Sequence, residues 1–215
     1  MRGVFTTVKF LRNEIFRNIT IAAYEEWSKE QIENIPFEIL MDGAPNYRET
    51  VELERQIVRA RIKAALNMEV GTRLDEQFIE EDIVALRKKK VSKDLVTIIP
   101  QACEACPEKS FFVTNACHGC LAHPCVEVCP VNAVSLIDKH AYIDQEACIK
   151  CGKCFDVCPY GSIVKNERPC TVACGVNAIT KSADNKAVIV NDKCVSCGMC
   201  MVACPFGAIV DKSEI

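Results

Sequence analysis

Apolar residues in the first hundred positions recur at three- and four-residue steps, the period of a helix with one buried face. Val8, Leu11, Ile15 and Ile19 trace one such face, and Val51, Ile57, Val58, Ile62 and Leu66 a second. Asn46 followed by Glu49 predicts a capping box at the start of the second helix, and Gly71 predicts its stop. Between the two, Pro36 and the stretch 42–45 read as loop. A third helix is predicted from Glu76 to Lys90. Near Pro100 the pattern changes to short apolar runs bounded by turn residues. Ala133 to Ile137 with Ala141 to Ile143, and Ala178 to Thr180 with Ala187 to Val190, read as two small hairpins.

Those two hairpins belong to an internal repeat. The segment PCVEVCPVNAV followed by CIKCGKCFDVCPYGSIV, which starts at Pro124, returns from Pro169 as PCTVACGVNAI followed by CVSCGMCMVACPFGAIV. Cys125 maps to Cys170, Cys129 to Cys174, Cys148 to Cys194 and Cys158 to Cys204, at an offset of 45 or 46. A repeat of this kind means two copies of one structural unit. All sixteen cysteines lie between Cys103 and Cys204. Their short, clustered spacings point to metal ligation and away from disulfides.

Cys148, Cys151, Cys154 and Cys158 form C-x2-C-x2-C-x3-C-P, and Cys194, Cys197, Cys200 and Cys204 repeat it. This is the ligand spacing of bacterial ferredoxins, in which three cysteines wrap one 4Fe-4S cubane and the fourth ligates its neighbour. Gly152 and Gly198 let backbone N–H groups approach the sulfides. Cys117, Cys120, Cys125 and Cys129 form a looser C-x2-C-x4-C-x3-C-P. The crossed rule assigns Cys117, Cys120, Cys125 and Cys158 to one cluster, and Cys148, Cys151, Cys154 and Cys129 to another. No C-x2-C directly precedes Cys170, and the pair left over is Cys103 and Cys106. Placing it there gives Cys103, Cys106, Cys170 and Cys204 for a third cluster, and Cys194, Cys197, Cys200 and Cys174 for a fourth; exchanging the two C-x2-C pairs between the units is the alternative assignment. The competing reading is zinc, because Cys103, Cys106, Cys117 and Cys120 also read as C-x2-C-x10-C-x2-C. That choice strands Cys125 and Cys170. His118 and His123 lie beside ligands and are expected to hydrogen-bond around them, whereas His140 is expected at the surface.

The predicted fold class is therefore α+β: a helical N-terminal domain over 1–100, then duplicated dicluster ferredoxin-like units over 101–215. The units span about 117–163 and 170–210, with Cys103 and Cys106 completing the second. The cofactors expected are four 4Fe-4S clusters, and the chemistry is one-electron transfer, which needs no acid or base. No catalytic residue is nominated. The formal charge of −3 gives no reason to expect a nucleic-acid partner. Arg87 to Lys90 reads as a solvated helix end complementing its dipole. A redox-sensing DNA binder is the reading from another class, and the near-neutral first half argues against it. No stretch approaches a membrane span, and Lys9, Arg12, Glu14 and Arg17 stand where a signal peptide needs its apolar core. The expected compartment is the cytoplasm, where the sequon Asn18-Ile19-Thr20 has no meaning.

The helical segment followed by CEAC, CHGCLAHPCVEVCP, two ferredoxin motifs and the intervening RPCTVACGVNAI resembles the N-terminal electron-relay region of group B monomeric iron-only (FeFe) hydrogenases. The resemblance covers nearly the whole chain. It implies an anaerobic bacterial enzyme that passes electrons between ferredoxin and a buried active-site cluster. The hydrogenase motifs TSCCPxW, MPCxxKxxE and MxCxGGCxxGG do not occur before the sequence ends at Ile215. The expectation is a fragment or a stand-alone relay that does not turn over hydrogen by itself. The alternative is a free-standing polyferredoxin subunit of a multisubunit oxidoreductase.

Overall fold

The computed structural model describes residues 6–71, 78–79, 83–86 and 94–212. Helices α1 (Thr7–Tyr24), α2 (Lys29–Ile39), α3 (Val51–Ala65) and the single turn α4 (Ile83–Leu86) precede strand β1 (Val96–Ile98). Next come β2 (Ser110–Val113), α5 (Pro124–Glu127), β3 (Val134–Ile137), β4 (His140–Ile143), α6 (Lys153–Asp156) and β5 (Ile163–Asn166). The last stretch runs α7 (Pro169–Ala173), β6 (Ile179–Lys181), β7 (Ala187–Ile189), α8 (Met199–Ala203) and β8 (Ile209–Asp211). The chain is thus a mixture of helices and short strands, helical at its N-terminus. It forms two compact units, Met1–Ala105 with Pro169–Ile215, and Cys106–Arg168. The division does not follow the change of composition at Pro100.

In the first unit α1 buries Leu11, Ile15 and Ile19, the face its period predicts, against Ile32 and Ile35 of α2 and Val58 and Ile62 of α3. Thr6 caps α1 by accepting the Lys9 N–H at 3.3 Å. The expected loop at Pro36 is instead helix: Pro36 sits buried inside α2. Proline removes one backbone bond there, and the burial of Ile32 and Ile35 on the same helix offsets that loss. The capping box at Asn46 and Glu49 is also corrected. Thr50 is the cap of α3, accepting the Leu53 N–H at 3.2 Å, while Asn46 donates to the carboxylate of Glu54. The helix ends at Ala65, before Gly71. Asn67 takes the left-handed conformation just past that end, a role open to asparagine as well as glycine. Of the third predicted helix only Ile83–Leu86 forms among the described residues; Phe78 and Ile79, which fall inside the predicted span, are not helical and are buried in the helical core. The remainder, with the basic run Arg87 to Lys90, lies outside the described residues.

The opposite face of α3 is buried too. Ile57, Ala60 and Ala64 pack on Ile99, Ala102, Ala208 and Val210, residues that flank the second cysteine repeat. A helix covered on both sides must bury its charged positions. Arg55, Arg59 and Arg61 are accordingly buried, with Arg55 and Arg59 stacked over the Phe37 ring at 4.5 and 5.6 Å.

Both repeats are built from two antiparallel pairs. In Cys106–Arg168, β2 pairs with β5 and β3 with β4. In the other unit β1 pairs with β8 and β6 with β7. Matching bonds close the two copies: Thr114 N–H to Ser162 O and Ile99 N–H to Ala208 O, each 2.8 Å. The pairing of β1 with β8, and the core that Cys103 shares with Cys170 and Cys204, set the stretch around Cys103 beside the second repeat. The second repeat begins at β1 and Cys103, is interrupted by the whole first repeat, and resumes at Pro169.

Candidate metal centre

Each repeat presents its cysteines on the same local scaffold. The residue two positions after Cys103, Cys117, Cys148 and Cys194, the cysteines that open the four runs, lies in the left-handed region: Ala105 (φ 44°), Gly119 (φ 55°), Lys150 (φ 59°) and Ser196 (φ 54°). The residue three positions after Cys129, Cys158, Cys174 and Cys204 does the same, as Asn132, Gly161, Asn177 and Gly207. Left-handed geometry costs a residue with a Cβ about 1 to 2 kcal/mol. Its recurrence at Ala105, Lys150 and Ser196 is strain concentrated where the chain must curl around something. Cys103 and Cys106 share this turn with the three other pairs.

The third cysteine of each run is the buried one. Cys125, Cys154, Cys170 and Cys200 sit on the one-turn helices α5, α6, α7 and α8. Cys151 and Cys197 are exposed. Among the described residues no cysteine is engaged in a disulfide.

Backbone amides point at the sulfurs. Ala133 N–H donates to Cys129 Sγ at 3.2 Å, Ser162 to Cys158 at 3.3 Å and Ala178 to Cys174 at 3.2 Å. Ala187 N–H reaches Cys103 Sγ at 3.4 Å, and Lys150 N–H reaches Cys148 Sγ at 3.4 Å. Burial alone would raise the Cys129 and Cys158 thiols, but the amides of 131–134 and of Ser162, Tyr160 and Ile163 hold both below the ordinary thiol value. At Cys125, Cys154 and Cys200 burial wins and pushes the thiols up. Neighbouring sulfurs add to the rise: Cys120 and Cys158 at Cys125, Cys148 and Cys151 at Cys154, and Cys174 and Cys194 at Cys200.

Cys117, Cys120, Cys125 and Cys158 line one small pocket, together with His118, Tyr160 and Ser162. Cys129, Cys148 and Cys154 pack in one core of that unit with Cys117, Cys125 and Cys158. In the other unit Cys103, Cys170 and Cys204 share a core with Cys174 and Cys200. Cys106 opens the Cys106–Arg168 unit, where its carbonyl accepts two bonds from Arg168 at 3.1 and 2.7 Å. The His118 ring stacks on Tyr160, centroids 4.4 Å apart. His123 is the left-handed N-cap of α5, and exposed His140 contacts the Asp138 carbonyl at 3.1 Å. Among the described residues no three Cys, His, Asp or Glu side chains converge on a single-ion site. Four thiols lining one pocket, with the Ser162 amide donating to Cys158, are the donor set an iron-sulfur cube takes.

Residues 116–162 match the 4Fe-4S dicluster domain, and residues 187–210 match the 4Fe-4S binding domain. Both repeats are ferredoxin-like 4Fe-4S domains. Their cysteine complement suits about four 4Fe-4S clusters. An uncharacterized ferredoxin of Methanocaldococcus jannaschii is 37% identical over 26% of this chain and 34% of its own length. Hydrogenase-4 component A of Escherichia coli is 47% identical over 22% of this chain and 23% of its own, and formate hydrogenlyase subunit 2 of the same organism 36% identical over 28% and 30%. The chain therefore spans less than half the length of these relatives. Among the described residues no helix is long and apolar enough to cross a membrane.

Two features escaped the sequence. Left-handed turns at Ala105, Lys150 and Ser196 are invisible because these residue types do not announce such a φ. The buried arginines of α3 read as a polar helix face. Their only signal was charge at positions flanked by Ile57, Val58 and Ile62.

Proposed function

We propose that this chain is a cytoplasmic, low-potential electron relay that passes single electrons between a redox protein such as ferredoxin and a catalytic hydrogenase or oxidoreductase partner. Cys117, Cys120, Cys125 and Cys158 hold one cluster, and Cys148, Cys151, Cys154 and Cys129 the second. Cys103, Cys106, Cys170 and Cys204 hold the third, and Cys194, Cys197, Cys200 and Cys174 the fourth. The observation that carries this reading is the common cradle, in which the same left-handed turn follows the opening cysteine of each run, Cys103, Cys117, Cys148 and Cys194, with Ala105 included. When bound, each cluster supplies a one-electron couple whose potential follows from hydrogen bonds to sulfur, burial and local charge. The protein's part is to hold thiolates, aim amides and exclude water.

The finer reading is the relay region of a group B iron-only hydrogenase, supported by the order of a helical segment, CEAC, CHGC and two ferredoxin motifs. The second reading, a polyferredoxin subunit of a multisubunit oxidoreductase, is favoured by the relatives named as hydrogenase and formate hydrogenlyase components. Iron, sulfide and zinc are to be measured per chain after anaerobic reconstitution, and about sixteen irons are expected. About eight irons, or stoichiometric zinc, overturns the third and fourth ligand sets. Anaerobic purification from the native host separates the two readings: hydrogenase activity on one polypeptide favours the first, and a complex of separate subunits the second.

A further inference from the structure

The two repeats differ at one ligand loop. After Cys158 the left-handed Gly161 faces open space, and a Cβ built there meets nothing within 4 Å. Its counterpart after Cys204, Gly207, is covered: a Cβ would collide with Val8 of α1 and lie 3.0 Å from Arg61 Nη2. Arg61 donates to the Gly207 carbonyl at 2.8 Å, and the Gly207 N–H donates back to the Cys204 carbonyl at 3.2 Å.

Arg61 is buried, at 7% exposure, and its Nε has no hydrogen-bond partner. Its α3 neighbours have carboxylates: Arg55 holds Asp42 at 2.8 Å and Arg59 holds Glu52 at 2.6 Å. Arg61 has none among the described residues. Asp211, which lines the same small cavity, is taken by Arg12 through bonds of 2.6 and 2.8 Å. A second cation approaches the same ligands. Arg48 donates to the Ala102 carbonyl at 3.1 Å, pairs with Glu104 between Cys103 and Cys106, and lies 5.7 Å from the Phe206 ring centroid.

A guanidinium buried without an anion is costly, because water no longer screens it. A 4Fe-4S cube with four thiolates is an anion, and gaining an electron makes it more so. We propose that Arg61, seconded by Arg48, is the built-in counter-charge of the cluster at Cys103, Cys106, Cys170 and Cys204 and raises its electron affinity. Covering this loop removes water and so disfavours the reduced form. The fixed cation offsets that effect through space, with no bond formed or broken. The inference rests on the ligand set proposed above, and Arg61 acts as a tuning residue and not as a ligand.

The test is a redox titration, followed by electron paramagnetic resonance, of the anaerobically reconstituted full chain. Arg61→Gln is expected to lower the potential of one cluster by about 59 mV, a tenfold loss of electron affinity. Arg61→Lys keeps the charge and shifts it less. Glu104→Gln, at a side chain 46% exposed, leaves Arg48 uncompensated and moves the same cluster upward. That variant keeps the inference testable if the Arg61 variants do not fold. The cluster that moves is the one whose signal Cys103→Ser abolishes. An Arg61→Gln protein with full iron and unmoved potentials overturns the inference, as does an unmoved Glu104→Gln, or a shift in a cluster that survives Cys103→Ser. Retention of full iron by Cys103→Ser overturns the ligand set itself.

Discussion

Tyr47 packs where the helical core meets the core beneath the second repeat, and its hydroxyl is buried without a hydrogen-bond partner. Burial pushes the phenol up to about 12; Arg61 and Arg48 oppose the rise and Glu54 adds to it. The folded state therefore prefers the neutral phenol. Its contribution is fully present below the unfolded value of about 10 and is lost as pH climbs from there to about 12. A rise of this size is worth about 2 to 3 kcal/mol. Urea denaturation of the wild type and Tyr47→Phe should give similar stabilities at pH 8. By pH 12 the variant should be ahead by about 2 kcal/mol. A gap that does not widen with pH contradicts the buried phenol.

α3 depends on a carboxylate inside its own first turns. Glu54 is fully buried and accepts the backbone N–H of Asn46 at 2.7 Å, of Arg48 at 2.9 Å and of Tyr47, with Asn46 Nδ2 at 3.3 Å. It ties the turn before the helix to the helix itself, and so positions Arg48 and Arg61. Glu54→Gln replaces an acceptor with a group that is partly a donor, and should cost about 2 to 4 kcal/mol. Thr50→Ala, which removes the N-cap alone, should cost about 1 kcal/mol. Chemical denaturation midpoints check the order, and equal losses would contradict the hub. At this scale the sequence was only partly legible. The periods of α1 and α3 and the two local hairpins stood out because their partners are close in the chain. α2 was hidden by Pro36, whose presence argues for a break unless Ile32 and Ile35 are known to be buried. β1 and β8 are three-residue strands, too short to show a period, and each is defined only by the other.

At the scale of the whole molecule, much of each cysteine repeat is loop and one-turn helix, with a small core of which thiols are part. So little apolar surface cannot offset the entropy of ordering the chain without the metal. Oxidative removal of iron under chelation should abolish the strand pairing of both repeats while α1 to α3 keep part of their helicity. Circular dichroism and hydrogen exchange read the two separately, and an iron-free protein with protected amides in β2 to β5 would contradict this. The cysteine spacings determined the cofactor class, because ligand geometry around a cube is local, and the helical and hairpin periods determined the α+β composition. Two things waited for the tertiary structure. Elimination paired Cys103 with a repeat whose remaining cysteines lie more than sixty residues away, but the antiparallel match of β1 with β8 that brings the two stretches together was not legible in the sequence. The environment of each ligand loop depended on which helix covers it, and no local pattern encodes that Val8 and Arg61 would meet Gly207.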